Sequence, residues 1–203
     1  MLRAIWVVVI ISVSACATEN VVVEGCEPSG SMQPVCGMQS PEDIAVLPDG
    51  RHLLLAHFGG MFDARGSLSL FDTQTEEVKP LFPQSGTTLA GATAPWGDRT
   101  CEPPQLDKFS PHGTHLHRLT DGSLRYLVVN HGGREAIELF EVIGKGGNTS
   151  LLWQGCVKPS EDTFMNDVVG LSNGDLIYTR MFHDGGIVEQ FSSLLGFDTG
   201  DLW

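Results

Sequence analysis

Apolar and polar positions along this chain fall into a unit that appears three times after residue 41. Each copy has a polar or acidic motif, a short apolar run, an Asp-Gly or Asn-Gly turn and then a strongly apolar strand. The first copy reads Pro41-Glu42-Asp43, Ile44 to Leu47, a turn at Asp49-Gly50 and the strand His52 to His57. The second has Pro111-His112-Gly113, a turn at Asp121-Gly122 and the strand Tyr126 to His131. The third has Met165-Asn166-Asp167, Val168 to Leu171, a turn at Asn173-Gly174 and the strand Leu176 to Arg180. Ser67 to Phe71 and Ala136 to Phe140 have the pattern of return strands, so the unit predicts antiparallel hairpins. No long stretch carries a helical period.

Short strands, glycine-bearing turns and a recurring unit predict an all-β fold. A β-propeller suits them better than a sandwich, because the motifs fall just before the inner hairpin of each unit, where several blades aim side chains at one axis. Glu42, His112 and Asn166 are spaced 70 and then 54 residues apart. A blade takes roughly 40 to 50 residues, so loops must be inserted. The glycine-, threonine- and proline-rich stretch 86–103 is the expected insertion. The segment 41–203 then holds about three to four blades of a six-bladed ring.

The ends change the picture. Met1-Leu2-Arg3, the apolar run Ile5 to Ile11 and Val13-Ser14-Ala15-Cys16 follow signal-peptide order, and the run is too short to span a bilayer. Cys16 directly after Val-Ser-Ala resembles a bacterial lipobox. We therefore expect a signal peptide over 1–15, a lipidated Cys16 and a tether over 16–40, giving an exported lipoprotein anchored to a membrane in the periplasm or at the cell surface. With 25 acidic and 12 basic residues the formal charge is −13, which disfavours nucleic acid as a partner and suits either hard cations or plain solubility. Cys26, Cys36, Cys101 and Cys156 form no Cys-x-x-Cys pair, which argues against zinc knuckles and thioredoxin-like chemistry. In an exported chain they suggest two disulfides. Of the three connectivities, Cys26–Cys36 with Cys101–Cys156 is favoured.

Four strings then resemble, in order, motifs of the paraoxonase/arylesterase family within the gluconolactonase-like propellers. They are Pro41-Glu42-Asp43-Ile44, Ser110-Pro111-His112-Gly113, Leu127 to His131 with Ile137-Glu138-Leu139-Phe140, and Asn166-Asp167-Val168. The resemblance covers about residues 41–180 and implies a six-bladed propeller with a catalytic and a structural calcium ion in its tunnel. It implies that Glu42 and Asn166 are ligands of the catalytic ion. Asp43, Asp167 and the backbone carbonyl of Thr114 correspond to positions that hold the structural ion. It also implies that His112 and His131 are the pair that activates water for hydrolysis of a lactone or aryl ester. Neighbouring residues such as Glu42 and Asp43 point to opposite sides of an extended chain, so one pair could serve two ions.

Other readings of the same residues are weaker. His112-Gly113-Thr114-His115 resembles a subtilisin-type histidine motif, yet the partner motifs are not in place, and Phe197-Asp198-Thr199-Gly200 is a single aspartic-protease-like string at the end of the chain. His112, His115 and His117 could contribute to a zinc site, with His115 and His117 on one face of a strand, but no further ligand is arranged around them. The alternative from another class is a non-catalytic propeller that binds a small ligand or a partner at the tunnel mouth.

Overall fold

The computed structural model describes residues 25–28, 30–59, 65–84, 96–160, 163–183 and 187–203. The leader, Cys16 and most of the 86–103 insertion lie outside them. The chain divides into two units, Met1–Cys36 and Gly37–Trp203. In the first, Cys26 and Cys36 form a disulfide with Cα atoms 6.1 Å apart.

The described residues of the second unit are predominantly β, with one short α-helix and a single 3-10 turn at Gly146–Asn148. Its first sheet is a meander in the order β1-β2-β3-β4, formed by Pro41–Val46, His52–His57, Ser67–Asp72 and Val78–Phe82. The next comprises β5 (Trp96–Gly97), β6 (Pro111–Arg118), β7 (Leu124–Asn130), β8 (Ala136–Ile143) and β9 (Ser150–Val157), ordered β5-β9-β8-β7-β6. The last joins β10 (Thr163–Gly170), β11 (Leu176–His183) and β12 (Asp201–Leu202), with helix α1 (Ile187–Leu194) between β11 and β12. The turn glycines Gly50, Gly122 and Gly174 have φ of 66°, 85° and 92°, a region open to glycine at little cost, so each hairpin closes where the Asp-Gly or Asn-Gly pair predicts it.

Strand β7 explains how the sheets stack. Tyr126 and Val128 on one face join Leu54, Leu68, Leu81 and Phe82 of the first sheet in a core completed by Phe109, Phe140 and Trp153. Leu127 and Val129 on the other face pack with Ile137, Leu139, Met165, Val168 and Tyr178. A strand covered on both faces reads as a continuous apolar run, which accounts for Tyr126-Leu127-Val128-Val129. The β5–β9 sheet is therefore the middle layer, and the end strands β1, β6 and β10 of the three sheets lie side by side with β6 central. The described strands do not close into a ring.

The Cys101–Cys156 disulfide, with Cα atoms 5.7 Å apart, ties the segment before β6 to strand β9, which lies between β5 and β8. A link closing a loop of this length restricts the unfolded chain by on the order of 4 kcal/mol in the chain-entropy account. Short β5 runs parallel beside β9, pairing Trp96 with Gly155 and Gly97 with Cys156. Among the described residues no helix is long and apolar enough to cross a membrane.

Candidate functional site

The three sequence motifs meet at one end of the inner strands, and each strand is irregular there. The β1–β2 register shifts between Pro41 and Asp43, the β6–β7 register between Pro111 and Thr114, and the β10–β11 register at Phe164/Met165 and Met165/Val168. Bulges re-aim side chains, and here they bring neighbouring residues onto one partner strand. Glu42 Oε1 lies 3.4 Å from His112 Nε2 on β6. Asp43 Oδ2 accepts hydrogen bonds from the Thr114 N–H at 2.6 Å and the Thr114 hydroxyl at 2.7 Å. Strict strand alternation predicts opposite sides for Glu42 and Asp43, but the bulge lets both carboxylates reach β6.

From β10, the Asn166 carbonyl stands 3.0 Å from His112 Nδ1, which places the ring proton on Nδ1 and leaves Nε2 toward Glu42. Asp167 Oδ1 accepts the Val168 N–H at 2.7 Å, and the Asp167 N–H is held by the Thr179 hydroxyl. This approach of β10 to β6 depends on Gly113. A Cβ there would come within 2.3 Å of the Asn166 carbonyl oxygen and 2.6 Å of the Asp167 Cα.

His131 follows the end of β7. Its ring centroid lies 5.1 Å from that of His112, and it stacks on Phe164 at 4.3 Å with an interplanar angle of 6°. Phe58 sits edge-on to both histidines. His131 Nδ1 donates to Glu135 Oε1 at 2.6 Å, while Nε2 is buried without a hydrogen-bond partner among the described residues. Glu135 is a site residue the sequence reading missed. Its signal is the spacing His131-Gly132-Gly133-Arg134-Glu135, a glycine turn that folds an acid back onto the histidine.

A buried polar network holds the His131 turn in place. Asn130 Oδ1 accepts the N–H groups of Ser110 and Gly132, joining the segment before His112 to the one after His131. Asn130 Nδ2 donates to Glu138, which is wholly buried and also accepts from Arg134 at 2.8 Å and from the Trp153 indole at 2.8 Å. Burial raises the Glu138 carboxyl above its ordinary range, and Arg134, Trp153 and Asn130 pull it back. Gly132 cannot be replaced without moving backbone, since a Cβ would fall 1.6 Å from the Lys108 carbonyl oxygen.

The electrostatics of the front of the site are set by crowded carboxylates. Burial raises the Glu42 carboxyl above its usual value; His112 opposes that shift, while the charges of Asp43 and Asp167 add to it. That is the field a cation would relieve, and the donors are the hard oxygens calcium prefers. Among the described residues, however, no group of three or more His, Cys, Asp or Glu side chains converges as a metal cluster. Asp43 accepts hydrogen bonds on both oxygens, the second from the Ile44 N–H at 2.7 Å, so Glu42 is the acid best placed to turn toward an ion. The donor chemistry fits calcium; the number of convergent side chains is low. His115 and His117 do share a face of β6, with centroids 5.8 Å apart, but His115 Nδ1 accepts the Gly170 N–H at 2.8 Å and is committed to the β6–β10 contact.

The class defined by these observations is an all-β protein of stacked antiparallel sheets with a histidine–carboxylate cluster at the ends of its inner strands. No family model matches the chain, and no curated protein matches it significantly.

Proposed function

We propose that this chain carries the first blades of a six-bladed propeller hydrolase that uses calcium to open lactones or aryl esters. The observation that supports this most is the meeting of Glu42, His112 and the Asn166 carbonyl from three separate sheets, with His131 beside them. Glu42 and Asn166 would hold the catalytic ion; Asp43, Asp167 and the Thr114 carbonyl would hold a structural one. Calcium takes about 6 to 8 oxygens, so waters and blades of a longer form would complete each shell. When bound, calcium supplies a Lewis acid that polarises the ester carbonyl.

The chain's own residues manage the proton. With Nδ1–H committed to the Asn166 carbonyl, His112 takes a proton from water at Nε2 as the water adds to the carbonyl carbon, and returns it to the departing ring or aryl oxygen as the acyl C–O bond breaks. His131, oriented by Glu135, stands beside that ring, and the aromatic rings of Phe58 and Phe164 flank the pair and limit access of bulk water. The substrate would be a small ester or lactone, and the anchor at Cys16 would keep the exported protein at a membrane.

The test is calcium affinity measured beside hydrolysis of a γ-lactone and a phenyl ester by the full-length protein. Glu42→Gln should lose metal and activity together. His112→Gln should keep calcium and lower kcat by about 100-fold, the scale of a general base. A calcium-loaded wild type that hydrolyses neither substrate would leave a non-catalytic ligand-binding propeller as the better account.

A further inference from the structure

At the end of the inner strands away from His112 the first two sheets diverge around a cleft of about 420 Å³. Arg118, on its rim, lies six residues along β6 from His112, about 20 Å at the rise of an extended strand. That volume falls within the range of small-molecule sites. Its apolar wall comprises Leu47, Pro48, Leu124 and Val142, an outward continuation of the core between the two sheets.

The polar part of the cleft is built and biased. Lys79 of β4 donates to the carbonyls of Gly147 at 2.9 Å and Thr149 at 3.1 Å, fixing the β8–β9 connection against the first sheet. Asp49 lines the cleft, but its oxygens are occupied by the N–H groups of Arg51 and His52 and by His52 Nδ1 at 2.7 Å. Arg118 and Lys145 also line it, and neither has an ion-pair partner among the described residues. With the Asp49 carboxylate counted, the two cations still leave the lining net positive, in a chain with 25 acids and only 12 basic residues. Thr149, 1% exposed, belongs to the lining as well, and its hydroxyl lacks a hydrogen-bond partner among the described residues. That hydroxyl is closed off from the open cleft, so recognition of an anion rests on the two cations.

We infer that this cleft is a second binding site, separate from the histidine cluster, for a small organic anion with an aliphatic body, a medium-chain carboxylate. The carboxylate sits between Arg118 and Lys145, and the alkyl chain covers Leu47, Leu124 and Val142. No bond is made or broken. The site stands apart from the hydrolase reading, because none of its residues belongs to the calcium or histidine set.

The test is titration of the full chain with octanoate, 1-octanol and octylamine, followed by calorimetry and by backbone-amide NMR. Octanoate should bind and move the amides of Ser123, Leu124, Lys145 and Thr149. Octanol should bind at least about tenfold more weakly, and octylamine should not bind there. Arg118→Gln with Lys145→Gln, both at the surface, should weaken octanoate at least about tenfold, equivalent to about 1.4 kcal/mol, and leave Tm unchanged. Thr149→Val should weaken it less. Octanoate and octanol binding equally, the double variant binding like wild type, or shifts confined to residues around His112 would each overturn the proposal. Binding that persists with EDTA is expected, and binding that requires calcium would count against this cleft.

Discussion

Glu42 shows how one residue can be unfavourable to the fold and useful to a site. Its carboxyl is held above the ordinary value, so the folded chain binds that proton more tightly than the unfolded chain. The contribution of this group is then fully favourable below about pH 4, and it is lost as pH rises through the raised folded value. Glu42→Gln should therefore raise Tm at pH 7.5 in the presence of a chelator and change it little at pH 4, as read by differential scanning calorimetry. Added calcium should stabilise the wild type and not the variant. A variant less stable than wild type at pH 7.5 without calcium would contradict this account of the carboxylate cluster.

Among the strands, close approach rather than side-chain size controls the site. Gly113 lets β6 pass against Asn166 and Asp167, so Gly113→Ala should push β10 away and destabilise the chain by about 2 to 3 kcal/mol, seen as a loss of about 5 to 10 °C in Tm. Gly122→Ala, where no atom lies within 4 Å of the added Cβ, should cost less, its penalty coming from the positive φ alone. Equal losses in the two variants would mean that the β6–β10 approach carries no special strain.

The contrast between these glycines also marks what could be read from sequence. Turn glycines announce themselves by the Asp-Gly and Asn-Gly pairs, and the strands they join have clear apolar runs, so the hairpins β1–β2, β6–β7 and β10–β11 were legible. Strands β4 and β9 were not predicted: Val78-Lys79-Pro80 mixes charge and proline on an exposed stretch, and β9 carries Gln154 and Gly155 in its middle. Helix α1 was missed because a single pair of turns is too short to establish a period. At the site, residue types and their convergence were legible, whereas the bulges that turn Glu42 and Asp43 toward the same strand were not. A bulge depends on how two strands fail to match, which neither strand states by itself.

Over the whole molecule, exposed apolar surface gathers toward the last strand. Val188, Phe191, Leu194 and Leu195 of helix α1 and its end are between 62% and 82% exposed, and Phe197, Leu202 and Trp203 follow. Ile44 and Val46 on inner strand β1 are exposed as well. Surface of this kind favours association. The isolated chain should run larger than a monomer in light scattering at micromolar concentration despite its charge of −13. Phe191→Ser with Leu194→Ser should restore the monomer with little change in Tm, because neither side chain is buried. A wild type that stays monomeric would show that this surface is not sticky enough to matter.

The convergence of Glu42, His112 and Asn166 also bears on biosynthesis. These residues bracket most of the folded chain, so no early segment contains a usable site, however well its own hairpin has formed. Contacts between residues so far apart in sequence close late, because their loop entropy must be met before they return any stabilisation. A polypeptide emerging stepwise from the ribosome would thus present Glu42 long before its partners His112 and Asn166 exist. The cluster would then form only once β10 is in place, late in the assembly of the chain.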